Sequence, residues 1–270
     1  IVKGLCRKGW TMKTHLKEIF EYRDMVNSLV RRDLRGKYKG SVLGFLWTFI
    51  NPLCQIVVYT IVFSIIIRSE LEQFYVYMIT GMVPWLFFDM ALRQGSCCVR
   101  YQGELVKKIY FPREVLPLAC VTSNCINMLF CFLIVFLVLM ISGVGVRLEA
   151  LLWLPLVMGI EYLLTLGFTL LVSAGTVYLK DLEHIVSVIL MAWIYLTPIM
   201  YPVSMIPETI LWIFRLNPMT AVIEAYHAVL YWKISPDSSA LFYAFLFGVV
   251  LLAVSEAVFV KLSDNFAEEL

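Results

Sequence analysis

The sequence predicts an all-α integral membrane protein: six transmembrane helices, an amphipathic N-terminal helix in the membrane interface, and re-entrant half-helices before the last span. Three observations predict it. Of the 270 residues, 61% are hydrophobic and 16% charged, against about 45–50% and 25% in a soluble domain, and the mean hydropathy is +0.82. The apolar residues gather into runs long enough to cross a bilayer. The charge is polarised, with 11 of the 22 Lys and Arg and only 4 acidic residues in residues 1–40. In so apolar a chain this suits a cytoplasmic segment facing the membrane better than a nucleic-acid site.

The elements follow in order. Ser41 to Ile67 is 27 residues without Asp, Glu, Lys or Arg, more than the roughly 20 that a helix needs to cross the hydrocarbon core. This run is too long for the core of a secretion signal, so none is expected. Gln73 to Leu92 carries Pro84 and a single acid, Asp89, and Val115 to Val146 is 32 uncharged residues. Ala150 to Leu179 is broken only by Glu161, Ile185 to Pro207 is uncharged, and Ser238 to Val260 is broken only by Glu256. The predicted spans are therefore about 41–67, 73–92, 115–142, 150–179, 185–203 and 238–260. They divide the chain into a basic segment at 1–40, a transmembrane domain at 41–262 and a short tail at 263–270. With both termini inside, 18 basic residues fall on the cytoplasmic side and 4 outside, so the positive-inside rule places both termini in the cytoplasm.

Between Thr14 and Leu34, apolar Leu16, Ile19, Phe20, Val26, Val30 and Leu34 recur at three- and four-residue steps, with Lys17, Arg23, Arg31, Arg32 and Arg35 filling much of the rest. This is a basic amphipathic helix, too charged to cross and placed directly before a span, which suits the cytoplasmic interface. Gly36, Gly40 and Gly44 fall four apart at its exit, a spacing that permits either close helix packing or a bend. Toward the other end, Pro207, Pro218 and Pro236 punctuate two apolar stretches, Ile210 to Leu216 and Met219 to Trp232, each too short for a comfortable span. Broken backbone at membrane depth is tolerated only where protein or water covers it, so a re-entrant pair lining a cavity is expected.

The chemistry that the residues exclude is as informative. The three His, at 15, 184 and 227, are far apart, and no H-E-x-x-H or His/Cys metal spacing is present, so no metal site is expected. The seven Cys fall in spans or on the cytoplasmic side, where disulfides are rare. No G-x-S-x-G and no G-x-x-x-x-G-K-[ST] phosphate loop occurs, so ATP-driven work needs a partner chain. The span acids Asp89, Glu161 and Glu256 mark a pathway or a paired site. The 18 Phe, 14 Tyr and 7 Trp would suit the walls of a sugar-polymer path, because aromatic faces pack on apolar ring surfaces and Tyr and Trp add a polar edge.

Several motifs then carry a resemblance. Arg32-Asp33-Leu34-Arg35-Gly36-Lys37-Tyr38-Lys39-Gly40, running through Trp47 into Asn51-Pro52-Leu53, resembles the basic approach to the first span of polysaccharide-exporting ABC transporter permeases. Pro84-Trp85-Leu86-Phe87-Phe88 resembles that family's second span. Lys107-Lys108-Ile109-Tyr110-Phe111-Pro112-Arg113-Glu114, with Pro117 after it, resembles the cytoplasmic loop before the third. Tyr178-Leu179-Lys180-Asp181-Leu182 resembles the loop after the fourth, where Arg-Asp is the commoner pair. Pro198-Ile199-Met200-Tyr201-Pro202 with Asn217-Pro218-Met219 resembles the fifth span and the re-entrant segment.

The resemblance implies a type-2 ABC exporter subunit in the cytoplasmic membrane, not itself an enzyme, that moves a lipid-linked glycan such as O-antigen, capsule or teichoic acid on an undecaprenyl diphosphate carrier. It implies a homodimer joined to two copies of a cytoplasmic ATP-binding subunit, with no cofactor in this chain and with ATP and Mg in the partner. The segment that docks on the ATPase maps to Arg100, Glu104, Lys107, Lys108, Phe111, Pro112 and Arg113. Arg32, Arg35, Lys37 and Lys39 are the expected contacts for the lipid diphosphate, through charge-assisted hydrogen bonds. Trp47, Tyr59, Trp85, Phe88 and Asp89 are the expected lining of the path. An ABC exporter of a small lipid or drug shares this topology. A secondary transporter would show internal repeats and paired ionisable groups, and no such halves are evident.

Overall fold

A computed structural model describes residues 21–38, 44–63 and 71–270. The protein is all-helical there, with no strand among the described residues. Helix α1 (Arg23–Tyr38) precedes a short 3-10 turn (Gly44–Leu46) and α2 (Trp47–Ile61). Next come α3 (Phe74–Tyr101), the six-residue α4 (Gly103–Lys108) and α5 (Val115–Ile141). Helix α6 (Leu154–Tyr178), α7 (Leu182–Trp193), α8 (Glu208–Leu216) and α9 (Pro218–Tyr226) follow. Helix α9 runs into a π-turn, and α10 (Ser238–Ser263) and the four-residue α11 (Phe266–Glu269) close the order.

Among the described residues, four helices are long and apolar enough to cross a membrane: Phe74–Tyr101, Val115–Ile141, Leu148–Tyr178 and Ser238–Ser263. In the places of the expected first and fifth spans stand two shorter apolar helices, Phe49–Ile61 and Leu182–Trp193. The uncharged run from Ile185 stops being helical near Trp193 because Pro198, Pro202 and Pro207 follow in close order, each lacking an N–H to donate. The segment expected to hold half-helices contains the nine-residue α8 and α9, each about 14 Å long at 1.5 Å per residue.

Capping chemistry sets the boundaries. Helix α5 ends where Gly143 takes φ +72 and Gly145 φ +68, a left-handed conformation that glycine adopts without strain. Asn217 caps α9, its side chain accepting from the Met219 N–H at 3.1 Å, with Pro218 at the first helical position. Its amide nitrogen also donates to Leu196 O at 3.1 Å and Thr197 Oγ1 at 3.0 Å, pinning the α8–α9 corner to the chain beyond α7. Asp237 caps α10 by accepting from Ser239 N at 2.9 Å and Ser239 Oγ at 2.7 Å.

The bundle has two hydrophobic centres. The larger one joins Phe88, Val121, Met128, Leu164, Ile199, Val222 and Tyr226 of α3, α5, α6, the segment after α7, and α9. The smaller lies at the end where α3 stops and α5 begins, and takes Leu29 and Val30 of α1, Phe111, Val115, Leu116, Phe259 and Phe266. The apolar stripe of α1 is thus spent on the bundle itself, with Arg23, Arg31, Arg32 and Arg35 outside. Helices α6 and α10 meet closely: a Cβ at Gly167 would lie 2.9 Å from Leu251 Cγ and 3.2 Å from the Leu252 nitrogen. Small residues at such contacts let apolar helices pack by dispersion where water supplies no drive. Of the glycines there, Gly44 has φ +43, a turn conformation ahead of α2, while Gly36 lies inside α1, where a Cβ would meet nothing within 4 Å. Gly40 lies outside the described residues.

Two of the three span acids are paired. Arg93 Nε lies 2.8 Å from Asp89 Oδ2, one turn along α3. Glu161, fully buried, accepts from the Tyr226 hydroxyl at 2.6 Å, which ties α6 to α9. Glu256 is half-buried on α10.

Candidate functional site

The segment between α3 and α5 is a protrusion with a buried root. Phe111 is 4% exposed and belongs to the smaller core, Pro112 is buried, and Arg113 lies with its guanidinium carbon 5.8 Å from the centre of the Phe266 ring. Phe266 packs edge-on to Phe259 at 5.4 Å and Tyr178 at 6.1 Å, and the Tyr178 hydroxyl donates to Leu262 O at 2.8 Å. The root is therefore clasped by the ends of α6 and α10 and by α11. Gly103, at the start of α4, faces Leu270, whose Cβ would lie 3.5 Å from an added methyl.

The tip is exposed. Tyr101 is 71%, Ile109 55% and Tyr110 73% accessible. Glu104 and Lys108 form an ion pair at 2.9 Å across one turn of α4, both largely in solvent, and Lys107 is exposed beside them. Such a pair is worth little to stability, whereas two tyrosines and an isoleucine in water beside mixed charge are what a protein contact needs. Of the seven residues expected here, Glu104, Lys107 and Lys108 stand on this tip. Phe111, Pro112 and Arg113 hold its root, and Arg100 does something else. Arg100 forms an ion pair with Glu183 at the start of α7, and its other nitrogen reaches Lys180 O at 3.5 Å. It links the foot of α3 to the α6–α7 turn. Sequence reasoning did not single out Tyr101, Tyr110 or Glu183; two tyrosines in a polar loop were the available signal for the first two.

Of the expected diphosphate contacts, Arg35 is exposed on α1, and Arg32 is exposed but turned toward Asp33 at 3.3 Å. Lys37 is described only by its backbone, in the last turn of α1, and Lys39 lies outside the described residues. The expected path residues divide. Trp85 and Phe88 are 2% and 0% exposed and sit inside the chain's own core, Phe88 edge-on to Phe168 and Trp193. Tyr59 is half-buried on α2. Trp47, 43% exposed, lines a cleft of about 220 Å³ between α2, α3 and α5, together with Asn51, Gln94, Asn124 and Asn127. Asn124 donates to Gln94 Oε1 at 3.1 Å, so carboxamides form one wall. Among the described residues no group of three or more His, Cys, Asp and Glu is placed to hold a metal ion.

Comparison with known proteins gives this arrangement a context. A protein of Myxococcus xanthus named O-antigen export system permease protein RfbA is 33% identical over 257 residues, covering 94% of this chain and 98% of that protein. A protein of the same name from Klebsiella pneumoniae is 29% identical over 95% of this chain and 98% of its own length. The polysialic acid transport protein KpsM of Escherichia coli is 22% identical over 87% of this chain and 92% of its own. Residues 25–231, from α1 through the protruding tip to the π-turn after α9, match the family described as ABC-2 type transporter. With that match spanning most of the chain, the protein is a membrane protein of the ABC-2 type transporter family.

Proposed function

We propose that this chain is the membrane subunit of an ATP-driven exporter that moves a lipid-linked cell-surface polysaccharide, such as O-antigen or teichoic acid on undecaprenyl diphosphate, across the cytoplasmic membrane. The similarity to O-antigen permeases along 98% of their length supports the cargo class. In this reading the chain crosses six times, with α2 and α7 as the short first and fifth spans and α8–α9 as a re-entrant hairpin. Both termini lie in the cytoplasm, which puts the α1 end of the bundle and the α4 tip on the side where ATP is available.

The single observation that carries the mechanism is the exposed tip, Tyr101, Ile109 and Tyr110 around the Glu104–Lys108 pair, on a root packed into the smaller core. Two copies of this chain would pair with two ATP-binding subunits, which hold ATP and Mg and seat the tips. Closure of the ATPases pushes the tips, and the roots pass that displacement to α1, α5, α6 and α10. Arg32, Arg35, Lys37 and Lys39 gather the diphosphate at the cytoplasmic leaflet, and the Trp47 cleft and Asp89 border the path that opens between the two copies.

The test is ATP hydrolysis by the chain co-purified with its ATPase in lipid, with and without an undecaprenyl-diphosphate-linked glycan. Stable co-purification, with hydrolysis raised by the glycan and uncoupled by Tyr110→Ala, is the expected result. A complex whose hydrolysis ignores the glycan while responding to a small lipid would remove the polysaccharide reading.

A further inference from the structure

A cavity of about 740 Å³ opens at the end of the bundle away from α1, walled by α8, α9, the π-turn and the first turns of α10. Its volume falls within the roughly 300–1,000 Å³ of small-molecule sites. Arg215 from the last turn of α8, Glu224 from α9 and Asp237 at the cap of α10 all line it. They lie near enough to act on one another's charge, yet none of the ion pairs among the described residues joins them. Thr220, 3% exposed, also borders the cavity, with its hydroxyl buried behind the wall. Trp232, 51% exposed, and Tyr243 supply aromatic wall, and the Tyr243 hydroxyl is fixed on Leu216 O at 2.9 Å.

Arg215, Glu224 and Asp237 are exposed around this open cavity, so water solvates them when it is empty, and a ligand that enters must offer polar groups in the place of that water. Hydrocarbon would strand three charges. A polyanion, the diphosphate head included, meets walls with a formal net charge of −1 from these three groups. A metal ion finds too few ligands, since no cluster of three or more acidic, His or Cys groups stands together among the described residues. An uncharged polyhydroxylated ring suits these walls together: its hydroxyls donate to Glu224 and Asp237 and accept from Arg215, while its apolar face lies on Trp232.

We propose that this cavity is a saccharide-binding subsite on the exit side, holding a neutral sugar unit of the exported polymer after it has crossed. The inference rests on the export function proposed above and adds to it a second point of glycan contact, remote from the diphosphate entrance. A subsite there would hold emerging chain against back-slippage between strokes.

The test uses the full chain assembled with its ATPase in lipid nanodiscs and, as probes, neutral gluco-, galacto- and manno-hexaoses with a sulfated hexasaccharide as the charged control. Saturation-transfer NMR should show saturable binding of at least one neutral hexaose. Binding should weaken about tenfold in Glu224→Gln, which loses a charged acceptor, and in Trp232→Ala, which loses the stacking face; melting temperature reports on folding. In cells, both variants should lower surface glycan several-fold. No saturable binding by any neutral hexaose, equal binding of the sulfated control, binding unchanged in both variants, or undiminished surface glycan overturns the subsite. If the wild-type transporter displays no glycan at all, it is the export reading that fails, which separates the two.

Discussion

Replacing Tyr226 with Phe removes one oxygen from the centre of the bundle and tests whether a buried carboxyl is held by a single hydrogen bond. Glu161 and Tyr226 are both fully buried, their oxygens 2.6 Å apart, and Glu161 Oε1 has no partner of its own. Losing the phenol would leave both carboxyl oxygens unsatisfied, at about 1–3 kcal/mol in a soluble core. Interhelical hydrogen bonds in membranes average about 0.6 and reach about 1.7 kcal/mol, and full burial argues for the upper figure, so about 1.5 kcal/mol is expected. The ring itself stays stacked 5.7 Å from Phe132, which keeps the apolar contribution constant. At about 2–4 °C per kcal/mol for a chain of this size, the melting temperature of the purified chain should fall by several degrees. Tyr226→Phe with Glu161→Leu removes both partners and should recover much of the loss, because a matched apolar pair strands nothing. An unchanged melting temperature in Tyr226→Phe, or strictly additive effects in the double-mutant cycle, would refute the reasoning.

Other perturbations read the remaining elements. Gly167→Ala forces a methyl to within 3.2 Å of the Leu252 nitrogen and should destabilise by about 1–3 kcal/mol through overpacking, measured by thermal unfolding; no loss would mean that α6 and α10 slide freely. Phe111→Ala should destabilise by about 3–5 kcal/mol, whereas Tyr110→Ala should leave the melting temperature nearly unchanged and weaken association with the ATPase in a pull-down. Arg100→Ala should raise hydrogen exchange at the start of α7, where Glu183 loses its partner, without altering the middle of α3. Hydrogen bonds from Ser239 hold the Asp237 carboxyl below its usual range, so its cap stabilises above the unfolded value near pH 4 and is lost as pH falls through the lower folded value. Asp237→Ala should cost about 1 kcal/mol at neutral pH and much less in acid, seen in melting curves across pH.

The parts of the fold that were legible in the sequence are those where solvent and hydrogen bonding change at the same residue. Helix α5 is one: its uncharged run opens after Glu114, where the helix starts, and Gly143, inside that run, ends the helix at Ile141, one residue short of the expected span end at 142. Helix α3 is the opposite case. Its apolar run stops at Leu92, but the helix continues to Tyr101, because Arg93 reports where hydrocarbon ends and says nothing against another N–H bonding four residues back. In α7 the error runs the other way, since a long uncharged run contains prolines that end the helix while remaining apolar. The division of the 100–113 segment into tip and root was hidden for a further reason. Phe111 and Tyr110 are neighbours of similar hydrophobicity, and what separates 4% from 73% exposure is the cluster that Phe111 shares with residues as distant as Leu29, Phe259 and Phe266.

In the proposed export reading, that shared cluster would carry a push on the tip to the spans. A loop anchored only to its own neighbours would absorb an ATPase stroke by bending. Here Phe111 shares one packed cluster with Leu29 and Val30 of α1, Val115 and Leu116 of α5, Val177 of α6 and Phe259 of α10. Cys98 and Val99 of α3 belong to it too, and close-packed interiors deform little and pass displacement on, so in that reading a displaced tip would tilt these helices together. Arg100 adds α7 by joining it to the foot of α3 through Glu183. The same cluster holds α1 against the bundle while leaving its arginines outside, so the stroke that moves the spans also moves the groups proposed to hold the lipid diphosphate. Coupling and substrate capture would then be one rigid-body event at the α1 end, and the distance left for the glycan to travel ends at the cavity between α8, α9 and α10.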